Sequence, residues 1–315
     1  MEATESASAA QWQPLQESAP RNPFLTAAYA NARLRLGESL VILESGPDLC
    51  PAYLRRGRVS SALEIPSLPF APSNSFLTMV ATVCRDQRIY ETSFNTFASP
   101  ALAIPALPRE IERRARTEFL LDLTAPPDQW KISETHRRHI RRAQKSAVAI
   151  RRGRFDGLRD HLTLCQASMA RREERGEDVP SVTDNSEARC LVESGAGELF
   201  QAFRDDLVLS SMLVMRSSTG AYYHSAGTRP EGMAIGASHF LLHSVARTLQ
   251  EEGAEVFNLG GAGPDMQGLR AFKSRFGTVP VETEAVRAVL CGSAHRLFVG
   301  LARALKRVAR APMIS

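Results

Sequence analysis

The chain of 315 residues is long enough for one large domain or two smaller ones, and with 43% hydrophobic and 23% charged residues it reads as a globular protein. No stretch reaches the roughly 18 apolar residues of a membrane-spanning helix, so no integral membrane association is expected. The formal net charge of +5 is unevenly spread: residues 136–154, HRRHIRRAQKSAVAIRRGR, carry eight Arg or Lys and no carboxylate, and without those eight charges the chain sums to −3.

Residues 1–20 are rich in Ala, Ser, Gln and Glu and lack the basic and apolar regions of a secretory signal, which predicts a disordered lead. After it, SLVILES and AYLRRGRVSSALEI predict strands, the second interrupted at RRG. SNSFLTMVATVCRDQ has helical spacing at Phe76, Met79, Val80 and Val83, and RIYETSFNT and TEFLLDL alternate as strands do. The paired prolines of TAPPDQW then set a boundary near residue 127.

The basic segment follows. Ser133 is a suitable N-cap, and the run from Glu134 to Val148 lacks Gly and Pro, predicting one helix. At about 100° per residue, Arg137, Arg138, Arg141, Arg142 and Lys145 share one face, and Ile140, Ala143 and Ala147 lie opposite. Like charges at i and i+4 repel, and an anionic partner relieves that repulsion. Seven of the eight cations are Arg, which suits bidentate contact with phosphate.

Helices are predicted from Phe155 to about Arg172 and from Asn185 to Ser194, then strands at ELFQAFRD, LVLSSMLVMRS and AYYHSAGT. A Gly- and Ala-rich loop leads into a helix start at Gly236, Ala237 and Ser238, a junction whose backbone N–H groups and dipole suit an anion. Within that loop RPEGMA fits the R-x-x-G-x-A pattern of a coenzyme A pyrophosphate loop. The helix SHFLLHSVARTLQEEG is followed by a strand EVFNLG, a glycine-rich loop, a short helix GLRAFKSRF and a strand VPVETEAVRAVL. Residues 291–315 read as an amphipathic helix with a basic outer face.

Cysteines at 50, 84, 165, 190 and 291 are odd in number and widely spaced, as expected of reduced thiols in a cytoplasmic protein. His239 and His243 lie four apart with no third ligand nearby, so no metal site is expected.

Three stretches, SETHRRHIRRAQKSAVAIRRG, GASHFLLHSVARTLQEEGAEVFNLGGAG and GLRAFKSRFGTVPVE, together resemble the FemAB-type branch of the GNAT acyltransferase superfamily, whose members build peptidoglycan cross-bridges. The resemblance spans residues 117–285 and is vaguer over 20–116. It implies a mixed α/β (α+β) fold of two GNAT-like domains, each a mixed sheet flanked by helices, over residues 21–127 and 128–290.

The activity it implies is transfer of an aminoacyl group from aminoacyl-tRNA to an amine, forming an amide with no bound cofactor. Lys273, paired with Phe272, is then expected at the acyl donor, where its cation stabilises the oxyanion. Arg137, Arg138, Arg141, Arg142, Lys145 and Arg275, with Gly236, Ala237 and Ser238, are expected to hold the phosphates of tRNA or of coenzyme A. Tyr223, Ser225, Asn258, Gly260 and Gly261 are expected to line the acceptor pocket, and no residue stands out as the general base.

The chain is shorter than the cell-wall enzymes, lacks their long charged helical hairpin, and offers no match to their nucleotide-sugar contacts. A small-molecule or peptide amine is therefore the expected acceptor. Two alternatives remain open on the sequence: an acyl-CoA-dependent N-acyltransferase, and a non-catalytic GNAT-like module that binds nucleic acid.

Overall fold

The computed structural model describes residues 9–46, 48–57, 60–99, 103–153, 155–177 and 184–290. The expected helix at 291–315 lies outside the described residues. In the first half the order is α1 (Ala9–Ser18), α2 (Ala27–Arg35), β1 (Ser39–Ser45), β2 (Asp48–Arg56), β3 (Ser61–Ile65), α3 (Asn74–Asp86), β4 (Ile89–Asn95) and β5 (Glu110–Asp122). The second half begins α4 (Glu134–Lys145), β6 (Ala149–Gly153), α5 (Leu158–Glu173), α6 (Ser186–Glu193), β7 (Gly197–Arg204), β8 (Leu207–Arg216) and β9 (Gly220–Thr228). It continues α7 (Pro230–Ile235), α8 (Ala237–Glu251), β10 (Val256–Ala262), α9 (Gln267–Ser274) and β11 (Val279–Ala288).

Among the described residues the strands form a single mixed sheet in the order β1-β2-β3-β4-β11-β5-β10-β9-β8-β7-β6. Two neighbouring pairs are parallel, β3 with β4 and β9 with β10. Each is joined by a crossover helix, α3 or α8, as parallel pairing requires. The two halves thus repeat one plan, the mixed α/β arrangement expected from the sequence. They also exchange their last strands: β11 pairs with β4 of the first half, and β5 pairs with β10 of the second. β5 and β11 run antiparallel at the centre, from Val279 opposite Leu120 to Ala288 opposite Glu110.

The apolar run of β8 is buried on both faces, which is why it reads as continuous rather than alternating. Phe200, Met212 and Val214 face the core beneath α4 and α8, and Leu199, Leu213 and Met215 join the core formed with α1, α2 and α6. A third core fills the first half between α3 and β1–β4, with Val286 and Ala288 of β11 inside it.

Four expectations are corrected. Residues Ala9–Ser18 are helical rather than disordered, because Trp12 and Leu15 bury against the core of Phe24 and Tyr29. The basic helix stops at Lys145, not Val148: Ser146 caps it, Ala147 turns left-handed at φ +54° and is exposed, and residues from Ala149 pair as β6. The strand expected at 117–123 begins at Glu110, since β11 supplies a partner along its whole length. Finally, the expected loop before α8 contains α7, started by Pro230 at its first turn and ended by Gly236 at φ +83°.

No helix among the described residues is long and apolar enough to cross a membrane. The four described cysteines, Cys50, Cys84, Cys165 and Cys190, are buried.

Candidate active site

The parallel pairing of β9 with β10 lasts for three residue pairs, ending at Asn258 opposite Tyr222. Beyond that point β10 bulges between Asn258 and Gly261 on its pairing with β5, and β9 has its own irregularity opposite Leu213 and Val214. The strands part, and Lys273 of α9 reaches into the opening. Its side chain is 4% exposed, its Nζ donates to the Gly261 carbonyl at 2.9 Å, and the Tyr223 ring centroid lies 5.7 Å from Nζ.

Gly260 makes this approach possible. It sits at φ +71°, and a Cβ there would lie 3.0 Å from the Tyr223 carbonyl oxygen and 3.7 Å from Lys273 Nζ. Asn258 holds the bulge: its Oδ1 accepts from Gly260 N at 2.8 Å, and its Nδ2 donates to Glu118 Oε2 at 2.7 Å. Glu118 is fully buried and also accepts from Tyr222 Oη and from Ala98 N, each at 3.0 Å. Ala98 holds a left-handed φ of +56°, a strained turn that the carboxylate fixes.

Burial, followed by the positive charge of Arg116, brings the Lys273 ammonium down to about 7, against the opposing pull of Glu118. Arg172 acts in the same direction as Arg116. The amine therefore changes charge near neutral pH, where an ordinary lysine stays protonated. Burial pushes Tyr222 and Tyr223 well above the usual phenol range, so both hydroxyls stay neutral.

Of the expected pocket residues, Tyr223, Asn258, Gly260 and Gly261 meet around Lys273. Ser225 is engaged elsewhere: its hydroxyl bonds to His161 Nε2 at 3.0 Å and His224 Nδ1 at 3.3 Å, and His161 Nδ1 bonds to Ser211 at 3.0 Å. Phe272 likewise turns to another cluster. Its ring packs on His239 and Phe276 at 5.1 and 5.3 Å between centroids, and its carbonyl accepts from His136 Nε2 at 3.0 Å. Phe272 thus seats α9 on α4 and α8 and positions Lys273 from behind.

That cluster also absorbs His239. His139 stacks on it at 4.5 Å and 19°, and His136 meets it edge-on at 4.5 Å. Burial, then the neighbouring His136 and His139, push His239 down to about 3, and burial lowers His136 too. Both rings are neutral when folded, so the unfolded chain binds more protons below pH ~6.5 and stability is lost as pH falls from there. We expect His239→Phe to flatten this acid loss of Tm relative to the unsubstituted protein, measured from pH 7 to 4. An unchanged difference across that range would remove the histidine cluster as its source. His243 packs edge-on against Trp130, and no group of three metal-ligating side chains forms among the described residues.

Ser133 caps α4 as expected, its Oγ accepting from His136 N at 3.3 Å. His136, Ile140 and Ala143 are buried, and Arg137, Arg138, Arg141, Arg142 and Lys145 are exposed on the other side. Arg137 also holds the Trp130 and Ile132 carbonyls, Arg141 pairs with Glu134, and Arg142 donates to the Ala234 carbonyl at 3.0 Å. Arg275 is exposed at the end of α9, where its carbonyl accepts from Ser133 N at 2.8 Å. The cationic face of α4 is therefore joined through its first turn to the helix that carries Lys273.

The start of α8 is a different matter. Gly236 and Ala237 are buried and Ser238 half-buried, because α4 lies over them. A Cβ on Gly236 would stand 2.6 Å from the His139 carbonyl oxygen. We expect Gly236→Ala to cost more than about 1 kcal/mol, since it combines a left-handed φ with that overlap. Chemical denaturation measures it, and a loss of a few tenths would show that α4 can move aside.

Sequence reasoning missed the contribution of the first half: Phe97, Ala98, Arg116 and Glu118. A signal was present, since Arg116 and Glu118 stand two apart, on one face of a strand whose following residues, FLL, are apolar.

Residues 131–274 match the family model of the acetyltransferase (GNAT) domain. Comparison with curated protein sequences finds no match. Among solved structures the chain is similar to FemX, with 14% identity, a TM-score of 0.66, and coverage of 90% of this chain and 97% of that one. It is also similar to a tandem GNAT protein of the clavulanic acid biosynthesis pathway, with 12% identity, a TM-score of 0.57, and coverage of 90% and 95%. A further likeness is to L-PGS from Bacillus licheniformis, with 13% identity, a TM-score of 0.51, and coverage of 96% and 98%. Residues 131–274 thus match a GNAT acetyltransferase domain, and the fold of the chain is similar to those of FemX and the tandem GNAT protein.

Proposed function

We propose that the protein is an aminoacyltransferase that moves an aminoacyl group from aminoacyl-tRNA to the amine of a small molecule or peptide. The acyl carbonyl enters the opening between β9 and β10, with its oxygen toward Lys273 Nζ. The acceptor nitrogen attacks the carbonyl carbon, and the resulting oxyanion takes a hydrogen bond from the protonated lysine. Collapse forms the amide and breaks the ester C–O bond. The proton lost by the amine ends on the departing tRNA hydroxyl, carried by water or by substrate. A fixed cation beside developing negative charge lowers such a barrier by several kcal/mol in favourable cases. No bound cofactor takes part.

The observation that carries the choice of donor is the contrast between two anion sites expected from the sequence. The α8 start, where coenzyme A pyrophosphate would lie, is closed under α4. The residues of the RPEGMA motif are folded into α7 and its N-cap, with the Met233 N–H bonded to the Arg229 carbonyl at 2.9 Å and Arg229 Nε to the Val208 carbonyl at 2.8 Å. The cationic face of α4 is open and suits a polyphosphate backbone. The likenesses to FemX and L-PGS support the same reading.

A donor screen tests it: a pool of charged tRNA against a panel of acyl-CoA thioesters, each with a mixture of amines. We expect amine-dependent loss of aminoacyl-tRNA and no thioester consumption. Consumption of acyl-CoA alone would establish the N-acyltransferase alternative. Tight tRNA binding with no turnover of either donor would establish the non-catalytic one.

A further inference from the structure

Arg116 of β5 enters the opening from the first half of the chain. Its side chain lies flat against Gly261, where any Cβ would overlap it, and its guanidinium carbon stands 4.8 Å over the Phe97 ring. Its hydrogen bonding is poor. Nη2 lies 3.4 Å from Tyr222 Oη, and Nε is buried without a partner. Among the described residues no carboxylate stands within ion-pair distance of Arg116. Glu118, two residues along the strand, is already taken by Tyr222, Asn258 and Ala98. Lys273 shares the opening, so two cations converge there with one committed carboxylate between them.

A guanidinium held half out of water with unfilled donors is costly unless an anion completes it. Its planar fork matches the two oxygens of a carboxylate or phosphate, and stacking on Phe97 fixes the plane in which such a group must approach.

We infer that Arg116 is the anion-binding residue of the acceptor subsite, holding an oxyanion group of the acceptor while the acceptor's amine faces the acyl carbon beside Lys273. The inference rests on the acyltransferase reading for the words acceptor and acyl, and the binding site itself stands without it. The acceptor class that follows is an amine that carries its own carboxylate or phosphate, such as an amino acid, a short peptide with a free C-terminus, or an aminoalkyl phosphate. Amines with no acidic group lack what Arg116 takes.

Equilibrium binding to the full chain, followed by ligand-detected NMR, tests this with alanine, alanylalanine, alaninamide, ethylamine and phosphoethanolamine. We expect the anionic amines to bind at least about tenfold more tightly than alaninamide and ethylamine, as loss of a charge-assisted pair implies. The ratio between alanine and phosphoethanolamine tells carboxylate from phosphate. Arg116→Gln abolishes the preference, and Arg116→Lys retains only part of it. Equal binding of amines with and without a carboxylate or phosphate to the unsubstituted protein overturns the inference, and that comparison holds even where Arg116→Gln does not fold. A preference unchanged in folded Arg116→Gln overturns it as well. Anion preference without acyl transfer removes the transferase reading and leaves the subsite. Efficient transfer to amines with no acidic group does the reverse.

Discussion

Lys273→Met lowers the rate of acyl transfer by about 10²–10³-fold, the range seen when one oxyanion donor is removed from an enzyme. The chain nevertheless stays folded, because the substitution removes a buried amine whose charged form is held at a cost. Folded Lys273 changes charge near pH 7, and the unfolded amine does so near its ordinary value of 10.5. Between those values the unfolded chain binds the extra proton, so this residue makes stability rise with pH across that window. Below pH 7 both states are protonated, and the folded one bears the full burden of the buried cation. Methionine relieves that burden and loses one hydrogen bond to the Gly261 carbonyl, so the Tm at pH 6 does not fall. Oxyanion stabilisation has the opposite trend: it needs the protonated amine and fades as pH rises through about 7. A pH profile of kcat/KM for the donor therefore shows a descending limb near neutrality, absent from the residual activity of Lys273→Met. A limb that persists in the variant assigns the titration to another group. An unchanged rate removes Lys273 from the chemistry.

Reversing two charges on α4, Arg138→Glu with Lys145→Glu, raises the KM for aminoacyl-tRNA by about tenfold or more and leaves kcat nearly intact. Both side chains are exposed and seven residues apart on one helix face, so the fold does not depend on them. Each phosphate contact contributes about 0.9 to the slope of log affinity against log salt on duplex backbone. Losing two contacts lowers that slope by roughly twice as much, and a plot of KM against ionic strength measures it. Arg137 and Arg142 are poorer choices because they hold the backbone of residues 130–132 and Ala234. An unaltered slope would place the tRNA elsewhere on the molecule.

What the sequence made legible was chiefly local. The cap at Ser133, the cationic face of α4 and the crossover helix α8 follow from residue types at short range, whereas Gly261, expected in the loop after EVFNLG, is part of β10 at its bulge. Lys273 is singled out through the resemblance, and the structure places its Nζ against the Gly261 carbonyl. What escaped depends on distant partners. Nothing in Ala147 announces a left-handed turn, since glycine is the residue that usually takes one, and the short strand after it forms because β7 offers an edge. The first seven residues of β5, EIERRAR, look like a charged surface until β11 lies beside them. Arg116 and Glu118 acquire meaning for the same reason, because Gly261, Asn258 and Tyr222 lie more than a hundred residues away. Of the two anion sites expected from the sequence, the one at the start of α8 lies under α4, with the His139 carbonyl packed over Gly236.

The exchange of β5 and β11 makes the two halves mutually obligate. A fragment ending before Val279 would leave β4 with a bare hydrogen-bonding edge and Val286 and Ala288 missing from the first half's interior. A fragment beginning after Asp122 would strip β10 of its antiparallel partner β5 and expose the bulge at Asn258, leaving β10 only its short parallel pairing with β9. Each piece alone loses one of these ladders, whereas the two together restore both the β4–β11 and the β5–β10 pairing. The candidate site inherits this interdependence. Arg116 and Lys273 come from opposite halves, and the long β5–β11 ladder behind them leaves no hinge across which the halves could swing apart.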